Sequence, residues 1–302
     1  AHGEIRIKAG DMALFQSVDG GDEVYPDGPS VDLAVDLLNQ MTPSDSSPFF
    51  LAVGLLRPHL PLGAPAGYYR RYRDLALPPV EHPEKPSGRT TWHGSGEFMK
   101  YQRWGKDPNR DPSFALEVRR HYAACVSFAD AQVGRLLAAL EKNGLVDDTI
   151  VLLWGDHGWH LGEHGIWGKH ALFEESLRSP LNIAHSSLPR QGEASLSMVE
   201  TLDVFPTLCG LARLPLPAGL HGRSLEPQLK VPNHEGHPSF AYAGKAQSMR
   251  SETHRLIRHQ DGYVELYDHR SAAGETQNVA SEQMGVVAAM TLELESRFKL
   301  KR

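Results

Sequence analysis

The chain has 302 residues, with 40% hydrophobic and 23% charged side chains and a formal net charge of −6. That balance suits a globular fold of one large domain, or of one with a small appendage. The acidic excess argues against a general nucleic-acid binder, but a local cationic pocket for a small anionic substrate remains compatible with it. Two cysteines, Cys125 and Cys209, cannot make a disulfide framework. Both lie in apolar, helix-like runs and read as buried free thiols. No run reaches the roughly 18 apolar residues of a membrane span, and no signal peptide is visible.

SVDLAVDLLNQM predicts a helix with Ser30 as N-cap and with Val31, Ala34, Val35, Leu38 and Met41 on one face. After a polar break at 42–47 comes PFFLAVGLL, a short apolar run that predicts a buried strand over 49–54 and ends in Arg57-Pro58-His59. Residues 61–112 are rich in Pro, Gly, Arg and Tyr and read as a long surface excursion of functional kind. Asp111-Pro112 opens a strong helix. Its apolar stripe is expected along Tyr122, Val126, Ala129, Val133, Leu136, Leu137 and Leu140, and Asn143-Gly144 ends it. A second buried strand is expected over 149–154.

SMVETLDVFPTLCGLARL predicts a further helix, followed by a Pro/Gly-rich connector. From Pro238 onward short alternating stretches appear, with a hairpin signal at Asp261-Gly262 and a last helix over 281–298. Helices and strands in this order predict an α/β fold, with a mostly parallel central sheet covered on both faces. Residues 1–234 form the main domain in this reading. Residues 235–302 form a small α+β subdomain of antiparallel strands and a terminal helix.

The stretch WGDHGWHLGEHGIWGKH, residues 154–170, packs four histidines, two acids and a lysine into seventeen positions. Asp156 and His157 follow a strand and are flanked by glycines that allow tight turns. A carboxylate oxygen and an imidazole nitrogen are both competent metal ligands. Lys169, twelve residues beyond His157, suggests an anion held between two positive centres. His160-x3-His164 would suit a zinc pair on a helix, but Gly162 and Gly165 argue against a helix there. His160, Glu163, His164 and His170 are therefore expected to line or support the pocket. Ligands bind beyond the carboxyl ends of strands in open α/β sheets, so Arg57 and His59 are expected to converge on Asp156 and His157. Pro58 fixes the backbone between the first two.

Taken together, SPFFLAVGLLRPHLP, HYAACVSFADAQVGRLLAALEKNGLVDDTIVLLWGDHGWHLGEHGIWGKH, VETLDVFPTLCGLARLPLP with GLHGRSL, and MRSETHRLIRH with ELYDHRSAAGETQNVA resemble the type I sulfatases of the alkaline-phosphatase-like superfamily, and among them the iduronate-2-sulfatase-like group. The resemblance implies a sulfuric ester hydrolase acting on a sulfated sugar, with calcium, or magnesium in its place, as the metal. It implies a periplasmic, extracellular or lysosomal setting. Asp156 and His157 match metal-site residues. Lys169 matches a lysine that contacts the sulfate, and His59 a histidine that contacts the sulfate or assists the leaving group. Arg57 stands where lysine is usual, keeping the charge but presenting a planar fork. His164 joins Arg57, His59 and Lys169 as an expected substrate-binding residue. A phosphodiesterase or phosphonate hydrolase of the same superfamily, or a non-catalytic anion binder, is the alternative.

Two departures bear on activity. The family's nucleophile is a formylglycine made within a Cys/Ser-x-Pro-x-Arg motif, and the 302 residues contain none. Cys209 and Arg213 have the spacing, but Leu211 stands in place of the proline, inside a predicted helix. The family's Asp-Asp metal pair is also absent. The expectation is a C-terminal portion that lacks its nucleophile and is inactive alone.

Overall fold

The computed structural model describes residues 11–43, 47–189 and 192–298. The chain divides into two compact units. One is drawn from the chain up to Glu81 and from Gly94–Thr149, the other from His82–His93 and from Ile150 onward.

In the first unit β1 (Phe15–Val18), α1 (Asp27–Leu38), β2 (Leu62–Pro65), α2 (Ala66–Arg70) and α3 (Pro112–Lys142) follow in order. β1 and β2 pair in parallel, with Phe15 opposite Leu62. α1 starts earlier than its sequence suggests. The Ser30 hydroxyl donates back to the Pro26 carbonyl at 2.8 Å, so it does not cap the helix start. The buried Asp27 side chain instead accepts the amides of Leu56 and Arg57, which anchors the 55–60 turn to this helix.

Local chemistry sets the ends of α3. The Asp111 carboxylate accepts the Phe114 amide at 2.9 Å, Pro112 fills the first turn, and Gly144 takes φ 68° just past the end. The buried face, however, is Phe114, Val118, His121, Cys125, Phe128 and Gln132. The expected stripe lies largely elsewhere, and Val126 and Leu137 are exposed. The helix carries apolar residues on two faces, and polar side chains with partners decided which is buried. Gln132 donates to Asp22 at 2.8 Å, and His121 faces Glu117 at 3.3 Å. By length and composition α3 could cross a membrane, but it packs against α1, α2 and β2 as a core helix. Burial pushes the Cys125 thiol up to about 12; it and Cys209 are free and buried, as expected.

The run Phe49–Gly54 joins no ladder among the described residues, and Phe50 is 86% exposed. An apolar run becomes a strand only when a neighbour takes up its amides and carbonyls. The strand forms later, at β2, where β1 supplies that neighbour.

The second unit contains β3 (Val151–Trp154), β4 (His160–Leu161), β5 (Trp167–Gly168), α4 (Glu174–Leu177), β6 (Leu181–Ala184), α5 (Val204–Leu211), α6 (Glu226–Lys230), β7 (Ser239–Ala243), β8 (Ala246–Arg250), β9 (His254–His259), β10 (Val264–Asp268) and α7 (Met284–Arg297). β3 pairs antiparallel with β6, and β4 with β5. β3 was expected to be buried, yet Leu153 and Trp154 at its end are exposed, because β6 is its one partner among the described residues. β7 to β10 form an antiparallel sheet in the order β10-β9-β8-β7. The β9–β10 turn falls at Asp261-Gly262, where Gly262 has φ 89°. α7 closes one face of this sheet through Met290 and Leu294 against Met249, Leu256 and Leu266. Ile166, Leu172 and Phe173 pack with Ile257 and Tyr267 in a second cluster. A separate subdomain beginning at residue 235 remains a proposal.

Candidate functional site

β3 ends at Trp154 and delivers the Gly155-Asp156-His157-Gly158 turn. Both glycines are required by close backbone approach. The Gly158 amide donates to the Ser176 carbonyl at 2.8 Å, and a Cβ there would lie 2.1 Å from the Glu175 carbonyl oxygen. The Gly155 amide donates to the Pro180 carbonyl at 2.9 Å, and a Cβ would press on the Pro180 ring at 2.9 Å. The turn is thus clamped onto the segment 175–180.

This clamp presents Asp156 and His157 to a cleft of about 1020 Å³, which Arg178, Arg250 and Glu252 also line. The Asp156 Oδ1 accepts the His157 amide at 3.0 Å. The His157 Nδ1–H donates to the Gly158 carbonyl at 2.8 Å. That fixes the tautomer and leaves Nε2 facing Asp156 Oδ2 at 3.5 Å. The Asp156 side chain is 79% exposed. A carboxylate beside an oriented imidazole lone pair suits a divalent cation.

Lys169 follows β5 and lays its Nζ over the Trp159 ring, 5.6 Å from the centroid. His164, expected to contact substrate, is 1% exposed. Its ring stacks on Phe173 at 4.4 Å and points Nε2 at Glu175 Oε2, 3.4 Å away. The imidazole thus faces Glu175 and Phe173 rather than solvent. A strap of residues 82–93, read from the sequence as surface excursion, holds this region. The His82 carbonyl accepts the His164 amide at 2.7 Å, and the Trp92 indole donates to the His164 carbonyl at 3.0 Å.

In the first unit Arg57 is buried, with its guanidinium over the Tyr25 ring and Nη1 donating to the His59 carbonyl at 3.2 Å. His59 is exposed. Its Nδ1–H donates to the Leu60 carbonyl at 2.7 Å, and its Nε2 edge stands 3.7 Å from Glu97 Oε1. Asp156, His157 and Lys169 belong to the second unit.

Sequence reasoning missed Glu175, whose carboxylate meets both His160 and His164. It also missed Arg255, which is buried and bridges Glu174 and Glu275, with His269 on Glu275 at 2.9 Å. No spacing flags either group, since Glu175 lies eleven residues from His164 and Arg255 lies 81 from Glu174.

The sulfatase family model matches residues 13–214, and the C-terminal model of N-sulphoglucosamine sulphohydrolase matches residues 162–301. A sulfatase of Formosa agariphila is 31% identical over 283 residues, covering 86% of this chain and 51% of that protein. Human iduronate 2-sulfatase is 35% identical over 226 residues, 64% of this chain and 40% of that protein. The chain thus spans about half or less of these relatives' lengths. A solved structure described as a complex with its substrate D-glucosamine-2-N,6-O-disulfate superposes with a TM-score of 0.78 at 20% identity, covering 91% of this chain and 69% of that one. It supports the same α/β fold.

Proposed function

The chain belongs to the sulfatase family, and from that premise we propose that its residues furnish part of the active site of a sulfuric ester hydrolase acting on a sulfated sugar. The observation that carries the reading is the Asp156–His157 turn at the mouth of a cleft, with the His157 Nε2 lone pair and the Asp156 carboxylate side by side. Relatives named for sulfated sugars support the substrate class.

In this proposal Asp156 and His157 would hold a calcium ion, which would supply Lewis-acid positive charge beside the sulfate ester. Two ligands are a fraction of the six to eight that calcium takes, so other residues must complete the shell. Lys169 places its ammonium on the remaining sulfuryl oxygens, where charge grows in the transition state. His59 has its Nδ1 proton committed to the Leu60 carbonyl, so Nε2 is the nitrogen open to the departing alcohol, and the ring gives a proton there only as the imidazolium, which carries a second proton on Nε2 beside Glu97. Arg57, buried against Tyr25 and tied to the His59 carbonyl, acts by holding the His59 backbone. The nucleophile is a formylglycine brought by a segment bearing the Cys/Ser-x-Pro-x-Arg motif.

The test is turnover of an aryl sulfate, with an aryl phosphonate as comparator, by these 302 residues alone and together with a formylglycine-bearing segment. Sulfate hydrolysis is expected in the second case and abolished by His59→Ala. Preference for the phosphonate would move the assignment to the phosphonate hydrolases. Turnover by the 302 residues alone, above a His59→Ala/Lys169→Ala control, would sink the expected division of labour.

A further inference from the structure

Behind the Asp156–His157 turn lies a second group of ligand-type side chains. His160 on β4, His164 in the following turn and Glu175 on α4 bring one imidazole nitrogen each and one carboxylate oxygen within 4.8 Å of one another. Both histidines are fully buried, at 0% and 1% exposure. His160 Nε2 stands 3.3 Å and His164 Nε2 3.4 Å from the same Glu175 Oε2. We propose that His160, His164 and Glu175 form a buried transition-metal site, selective for zinc, separate from the Asp156–His157 pair.

Three observations carry this. First, the distances suit a shared cation better than hydrogen bonds. Charge-assisted N–H···O bonds run about 2.7–2.9 Å, and here neither imidazole reaches the carboxylate with hydrogen-bond geometry. His160 Nε2 and Glu175 Oε2 are buried atoms with no hydrogen-bond partner. A tetrahedral zinc ion with bonds of about 2.0–2.1 Å separates neighbouring ligands by about 3.3–3.4 Å, the spacing found on both edges.

Second, the tautomer of His160 is set for ligation. Its Nδ1–H is shared between the Gly168 carbonyl at 3.2 Å and the Ser176 hydroxyl at 3.0 Å, which leaves the Nε2 lone pair directed at Glu175. Outer hydrogen bonds of this kind orient metal-bound imidazoles.

Third, the donor set discriminates. Two imidazoles and one carboxylate suit zinc, whereas calcium takes six to eight ligands, more than these three buried side chains supply. The pair does not sit on a helix. His160 lies on a strand and His164 takes φ 57° after Gly162 at φ 120°, so a hairpin with a left-handed turn brings the two rings together. The packing gives the site a role. The Gly158 amide bonds the Ser176 carbonyl, so an ion tying α4 to the β4–β5 hairpin would also stiffen the turn that carries Asp156 and His157.

The test is metal uptake by the 302-residue chain in the presence of excess calcium, with zinc followed by chelator competition and cobalt by its visible spectrum. One zinc per chain and a tetrahedral cobalt spectrum are expected. Glu175→Gln and His160→Ala, each checked for folding by circular dichroism, should weaken zinc binding by roughly 100-fold, and Ser176→Ala by roughly tenfold. Asp156→Asn should leave it unchanged. Absence of stoichiometric uptake by the folded wild-type chain, or an octahedral cobalt spectrum, overturns the proposal without reference to any variant. So does uptake that Asp156→Asn abolishes and Glu175→Gln spares.

Discussion

The Nε2 of His157 stands 3.5 Å from the Oδ2 of Asp156, while the Nδ1 proton of the same ring is committed to the Gly158 carbonyl. The carboxylate is the hard, charged half of this pair, so Asp156→Asn should weaken calcium binding by roughly tenfold or more. Isothermal calorimetry on the purified protein measures it. Equal affinities for variant and wild type would take Asp156 out of the metal site.

Lys169 is half-buried beside Trp159, so its loss should cost little stability. In the active assembly with a formylglycine-bearing segment, Lys169→Ala is expected to lower kcat on aryl sulfate by about 100- to 1000-fold. The melting temperature should stay close to that of the parent. Near-normal kcat would remove the ammonium from the mechanism.

His121 lies between the rings of Phe15 and Tyr69, stacked at 4.2 and 4.3 Å. Burial lowers its pKa from 6.5 to about 4, outweighing Glu117. The sign follows from proton counting. Between those two values the unfolded chain carries a proton on this imidazole and the folded chain does not, so stability rises with pH across the window. The contribution is full above 6.5 and is lost as pH falls towards 4, about 3 kcal/mol in all. Urea unfolding across this range should show the slope, and His121→Gln should flatten it. An undiminished slope in the variant would place its origin elsewhere.

Arg255 and Glu275 are each 3% exposed and paired, and Arg255 also reaches Glu174. Burial works against the charged form of Glu275, and the guanidinium outweighs it, holding the carboxyl below its ordinary range. Arg255→Leu leaves the carboxylates buried without their cation, at a cost of about 3–5 kcal/mol. Chemical denaturation gives the number. A loss under about 1 kcal/mol would mean that His269 and the Glu174 amide suffice for Glu275.

Features governed by a few consecutive residues were legible in the sequence. The ends of α3 follow from Asp111, Pro112 and Gly144, and the β9–β10 turn from Asp261-Gly262, because caps and tight turns are short-range chemistry. The glycine-flanked Asp156-His157 turn and the sulfatase motifs are legible for the same reason. What depended on distant partners was not. Periodicity found α3 but not its buried face, which rests on Asp22 meeting Gln132 across 110 positions. Apolar content made Phe49–Gly54 a candidate strand, but pairing needs a second chain segment to accept its hydrogen bonds. Glycines ruled out a helix between His160 and His164, and a hairpin under the 82–93 strap brought them together on Glu175 instead. A metal-type cluster is defined by distances of a few ångströms between side-chain atoms, and only the tertiary fold sets those.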